Sequence, residues 1–144
     1  MKKKILLLLV GLILCGCVQT KQRHLKEHVS LSFFYVSTCP QCKEFKQTAI
    51  PYLEKTFGDD ISIELYDLDE DGTQEIYDSF IDRLIDFDEE FYGNGPFTVV
   101  DEYFAVLGYT LGDEKYLADD IENALNHQPL SDELSARFYF KEIE

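Results

Sequence analysis

The tetrad Cys39-Pro40-Gln41-Cys42 constrains this chain more than any other stretch of it. Ahead of it, residues 29–36 read Val-Ser-Leu-Ser-Phe-Phe-Tyr-Val, an apolar, β-prone run that predicts a buried central strand. Ser37-Thr38 breaks the run. Behind the tetrad, residues 43–57 predict a helix, with Phe45, Ala49, Tyr52, Leu53 and Phe57 on its apolar face. Pro40 suits the first helical turn, where its missing N–H has no intrahelical partner to lose. Pro51 is expected to kink this helix and Gly58 to stop it. Two thiols at a strand-to-helix junction, two residues apart, can form, break and exchange a disulfide.

The N-terminus decides which cysteines compete for that chemistry. Met1-Lys2-Lys3-Lys4 precedes an apolar run over residues 5–14, the basic start and short apolar core of a secretory signal. The run falls short of the roughly 20 apolar residues of a membrane-spanning helix. Leu14-Cys15-Gly16-Cys17 resembles the lipobox of bacterial lipoproteins. That resemblance implies a signal peptide over residues 1–16, with Cys17 lipidated as the mature N-terminus. The protein would then sit on the extracytoplasmic face of the cell membrane. Residues 17–28, polar and carrying Lys21, Arg23, His24 and Lys26, read as a tether from lipid to domain. Cys15 leaves with the signal, so Cys39 and Cys42 remain as the free thiols in a compartment that permits disulfides.

Charge excludes one class of partner. The full chain carries 13 Lys and Arg against 28 Asp and Glu, a net charge of -15. Loss of three lysines with residues 1–16 brings it to -18. Such a surface disfavours nucleic acid and is repelled by anionic lipid, so the lipid anchor must do the holding.

The rest of the chain alternates strands and helices. Residues 61–66 alternate apolar and polar as a second strand, followed by an acidic turn over 67–72. Ile76, Tyr77, Phe80, Leu84 and Phe87 predict an amphipathic helix over 73–87. After the loop Gly93-Asn94-Gly95, Pro96 opens a strand at 97–100, and a tight turn at Asp101-Glu102 returns a strand over 103–108. Tyr116, Leu117, Ile121 and Leu125 predict a last helix from Asp113 or Glu114 to about Asn126. The domain thus spans 29–127. Residues 128–144 form a C-terminal extension, with a short helix expected near 131–136 and an extended piece over 137–140. The order β-α-β-α-β-β-α requires right-handed parallel crossovers and one antiparallel hairpin. A mixed four-stranded α/β sheet with helices on both faces satisfies it.

That order, with CxxC between the first strand and first helix, resembles the thioredoxin superfamily in its minimal form. The resemblance rests on Phe33-Phe-Tyr-Val-Ser-Thr-Cys39-Pro-Gln-Cys42, the helical Pro51 and Gly95-Pro96 before the hairpin, and covers residues 29–126. It implies a thioredoxin-like fold and a thiol–disulfide oxidoreductase. Cys39 and Cys42 would be catalytic, and a cis Pro96 with Gly95 would form the wall against which an extended substrate binds. Neither cofactor nor metal is implied. The implied partners are cysteine-containing proteins or peptides outside the cytoplasm and a membrane redox partner. Two family features are missing. There is no Trp anywhere, and the strand before the motif carries no acid, so proton transfer to Cys42 must use water, Glu44 or another group. Pro-Gln between the cysteines is neither the Gly-Pro of thioredoxins nor the Pro-His of strong periplasmic oxidases, and is closer to the Pro-Tyr of glutaredoxins.

At the motif, helix-start N–H groups and the helix dipole favour a thiolate on Cys39, with Lys43 and Lys46 in the first turns adding positive charge. Cys39 is the expected nucleophile and Cys42 the resolving thiol.

Other readings compete. The CxxC could be a structural disulfide, although so short a loop stabilises little. His24, His28, Cys39 and Cys42 could compose a zinc set. Residues 67–78 match a calcium loop except that Asp78 replaces the final Glu. The acidic and aromatic residues between Ile81 and Tyr92 are either a solvated helix face or a surface for a cationic partner. The functional alternative to an enzyme is a thioredoxin-fold binding or accessory lipoprotein, such as a bacteriocin accessory protein or a calcium binder, in which the CxxC is incidental.

Overall fold

A computed structural model describes residues 21–134 and 136–141. The strand predicted before the CxxC forms as β1 (Val29–Tyr35), and the helix after it as α1 (Pro40–Phe57). A short 3-10 turn, Gly58–Asp60, leads into β2 (Ile61–Asp67), which pairs parallel to β1. Then follow α2 (Thr73–Ile81), β3 (Phe97–Val100), β4 (Phe104–Leu107), α3 (Asp113–Leu125) and β5 (Ala136–Tyr139). The sheet order is β2-β1-β3-β4-β5, with every pairing after the first antiparallel. The result is a mixed α/β architecture broadly compatible with a thioredoxin-like fold, but with five strands among the described residues rather than four.

The two faces of β1 explain its unbroken apolar character. Val29, Leu31 and Phe33 face one core with Phe45, Ala49 and Leu53 of α1 and Leu117 and Ile121 of α3. Phe34 faces the other, with Tyr77 and Phe80 of α2 and Phe97, Val99 and Phe138. Alternating side chains thus serve helices on both sides of the sheet. Phe33 and Phe45 stack with ring centroids 4.2 Å apart. Burial of one such ring stabilises by about 1.5–3 kcal/mol, which pins the start of α1 to the end of β1. The helix continues through Pro51 as one element.

The fifth strand corrects two sequence expectations. β5 forms on the extended piece, and no helix forms over 131–134. α2 also ends at Ile81 instead of reaching Phe87. Beyond it the chain pairs with the C-terminal segment: Ile85 N donates to the Tyr139 carbonyl at 2.8 Å, and Leu84 bridges Phe140. Leu84 still reaches the second core, where Phe87 packs at its edge. Helical spacing was therefore satisfied by a bent segment that gives its backbone to another strand.

The hairpin differs in detail. Asp101, Glu102 and Tyr103 form its loop, with Glu102 at φ 68°, and β4 starts at Phe104. A third residue in the loop with one left-handed position is a common alternative to the two-residue turn.

An ion pair ties the added strand to the domain. Asp120 of α3 is fully buried and pairs with Arg137 of β5. It also accepts from Ser131 N at 2.7 Å and Ser131 Oγ at 3.2 Å.

Candidate functional site

The site lies where β1 ends and α1 begins. Cys39 is the helix N-cap, with extended backbone, and Pro40 occupies the first turn. Because the N-cap side chain faces the free N–H groups of that turn, Cys39 Sγ accepts from Cys42 N at 3.1 Å. No acidic residue stands in the first turn to oppose negative charge on that sulfur. Cys39 and Cys42 are joined as a disulfide with their Cα atoms 5.3 Å apart. Cys39 is half-buried, whereas Cys42 is 1% exposed within the first core. The two sulfurs therefore differ in access, Cys39 being the one open to a partner.

The segment between α2 and β3 closes over them. The Gly95–Pro96 peptide bond is cis. The Gly95 carbonyl oxygen lies 3.6 Å from Cys39 Sγ, placed to accept from its S–H once the bond is reduced. Pro96 is fixed from behind, since its carbonyl accepts from Gly108 N at 2.8 Å at the far end of the β3–β4 hairpin. Gly93 N donates to the hydroxyl of Tyr77, tying the same loop to α2. All four residues singled out from the sequence, Cys39, Cys42, Gly95 and Pro96, thus meet at one place. Cys17 lies outside the described residues.

Groups around the motif fall partly as the sequence suggests. Lys46 Nζ sits 3.6 Å from the centroid of the Tyr35 ring, a cation–π contact at the end of β1. Burial raises the Tyr35 pKa, with Asp67 and Glu70 adding to the effect. Among the described residues no carboxylate hydrogen-bonds to either sulfur. Glu44 lies on α1, one turn before Thr48, whose hydroxyl bonds the Glu44 carbonyl at 2.7 Å and meets the Tyr109 hydroxyl at 2.7 Å. Tyr109 in turn donates to Glu114 at 2.7 Å. This part-buried polar chain between α1 and α3 was not anticipated from the sequence. Tyr109 directly after the glycine that ends the hairpin was its only signal.

The competing ligand sets are not assembled. His24 pairs with Asp60, and His28 meets Ser62 and the Asp59 carbonyl, at the end of the sheet opposite the cysteines. In the acidic turn, Asp67 accepts from Asp69 N at 3.0 Å, while Asp78 lies on α2 and accepts from Tyr92 at 2.5 Å and Gln74 at 3.1 Å. Among the described residues no three His, Cys, Asp or Glu side chains converge as a metal ion would require.

A partly buried cysteine at a helix N-terminus, bridged to a fully buried one, can undergo attack by an incoming thiolate and return to the disulfide. No protein-family model matches this chain, and neither does a curated protein or a solved structure.

Proposed function

We propose that the protein is a thioredoxin-like thiol–disulfide oxidoreductase, anchored through lipidated Cys17 at the extracytoplasmic face of the membrane. The observation that carries this reading is the asymmetric Cys39–Cys42 disulfide at the start of α1, faced by a cis Gly95–Pro96 bond. A structural crosslink would gain little from so small a loop. It would also have no use for a cysteine left partly exposed at a helix N-terminus.

In the reducing direction, the Cys39 thiolate attacks a substrate disulfide, forming a mixed disulfide and releasing one substrate thiolate. Cys42 then loses its proton and attacks Cys39 Sγ. The second substrate thiolate leaves, and the pair of electrons has passed from the dithiol to the substrate. Oxidation of a substrate dithiol runs the same steps backwards. The substrates are cysteine-containing proteins or peptides outside the cytoplasm, and a membrane redox partner restores the pair.

Insulin reduction and refolding of reduced ribonuclease test the reading in both directions. Activity in one of them, abolished by Cys39→Ser, is expected. Cys42→Ser should instead accumulate a mixed disulfide through Cys39, visible by mass spectrometry under non-reducing conditions. Inactivity of the unaltered chain in both assays would leave the disulfide without an exchange role.

A further inference from the structure

We propose that residues 21–28 are a docked strap that holds the Cys39–Cys42 disulfide facing away from the membrane, so that its partners are soluble proteins or domains standing clear of the bilayer. This rests on the exchange activity and membrane attachment proposed above.

The segment that composition suggests as a tether lies on the domain. Arg23 N donates to the Thr56 carbonyl in the last turn of α1 at 2.6 Å. Its guanidinium pairs with Asp119 at 2.5 Å and Glu122 at 3.3 Å on α3. Leu25 N donates to Asp60 at 3.1 Å, and the Leu25 side chain packs against the first core. Tyr103 of the hairpin loop donates to Glu27. Four separate elements are thus held by eight residues. All of these contacts sit where α1 ends and β1 and β2 begin, the pole opposite the cysteines.

Lengths decide what this allows. From Cys39 to Thr56 the helix rises about 25 Å at roughly 1.5 Å per residue. From Cys17 to the first docked backbone bond, at Arg23, the chain spans at most about 20 Å when fully extended. That is too short to run from the bilayer, back along the domain, and still bring the disulfide to the surface. With the strap released, the free length to Val29 becomes about 40 Å, enough to turn the domain over. A membrane-resident redox partner must then present its thiols on a domain about 25 Å above the lipid, one α1 length away.

The sequence contains no Trp, so one introduced indole reports one place. The probes are Lys26→Trp in the strap and Thr38→Trp beside the disulfide, both at exposed positions. Each full chain is purified from membranes and reconstituted in vesicles carrying a nitroxide head-group quencher. The Lys26→Trp chain is expected to be quenched more strongly than the Thr38→Trp chain. Adding Arg23→Glu, which sets a carboxylate against Asp119 and Glu122, should bring quenching to the Thr38→Trp chain. Equal quenching of the two single variants overturns the orientation, and no gain with Arg23→Glu overturns the strap as its cause. A chain that does not sediment with the vesicles overturns the attachment itself. A chain that sediments but fails in both exchange assays overturns the enzymatic reading and leaves the orientation standing.

Discussion

Gly95 stands so close to Cys42 that a Cβ on it would lie 3.1 Å from the Cys42 sulfur. The same Cβ would meet the Phe34 carbonyl oxygen and Tyr35 Cα, both at 3.5 Å. The sulfur contact is the tight one, and a buried, bridged sulfur cannot yield easily, while the two backbone atoms at ordinary contact distance leave little room for retreat. The glycine is thus what lets the loop before Pro96 approach the disulfide.

Gly95→Ala is therefore expected to push the loop off the motif. Overpacking of this kind costs about 1–3 kcal/mol. The stability loss should appear as a lower urea midpoint with an unchanged slope. Exchange should slow as well, because the Gly95 carbonyl moves away from Cys39. Unaltered stability and insulin reduction would mean that the close approach has no consequence.

The buried pair between α3 and β5 makes a second prediction. Asp120→Ala strips the charge partner from Arg137, whose side chain is 9% exposed, and two acceptor bonds from Ser131. Leaving one ion of a buried pair uncompensated costs about 3–5 kcal/mol. Urea denaturation of Asp120→Ala should show a loss of that order. Replacing both partners by Leu should recover a large part of it, since burying two apolar side chains leaves no stranded charge. If the single variant is as stable as the parent, the strand is held by its backbone pairing alone.

Acid should weaken the link between α1 and α3. Burial works against the Glu114 carboxylate, but donors from Tyr109 and from the backbone N–H groups of Gly112 and Glu114 itself more than offset it, and its pKa is lowered from 4.5. A lowered folded-state value means that the unfolded chain binds more protons in that range, so stability rises with pH there. The contribution is present above about pH 4.5 and is lost as pH falls through the folded value. At the other limit, burial first, and then the bond to Glu114, push Tyr109 up to about 12. Its contribution is present below the ordinary tyrosine value of 10.0 and lost as pH rises through about 12. Glu114→Gln should flatten the acid limb of a stability–pH profile measured by thermal unfolding. An acid limb identical to that of the parent would remove Glu114 as its cause.

The first half of the fold was legible because local signals agreed there. Residues 29–36 are apolar on both faces, and a helix with proline in its first turn follows at once. The cysteines and Gly95-Pro96 could be paired by resemblance because strand order brings them to one sheet end. Between α2 and β3, and again after residue 130, local signals stopped agreeing with the tertiary structure. Leu84 and Phe87 keep helical spacing, yet their segment exchanges backbone bonds with residues 139–141. The buried Asp120 was legible only as an acid beside Leu117 and Ile121, which a solvated helix edge would show equally well.

By itself the sequence determined where the two thiols stand, at the junction of a strand and the helix that follows it at once. The tertiary structure decided how they stand: Cys42 sealed, Cys39 open, and Gly95 close enough to touch. It also decided that the polar segment before β1 lies on the domain. Arg23 and Glu27 belong to a polar tether in the sequence until Asp119, Glu122 and Tyr103 are brought beside them. Periodicity along a chain reports which face is apolar, but a charge's partner is set by contacts 76 to 99 residues away.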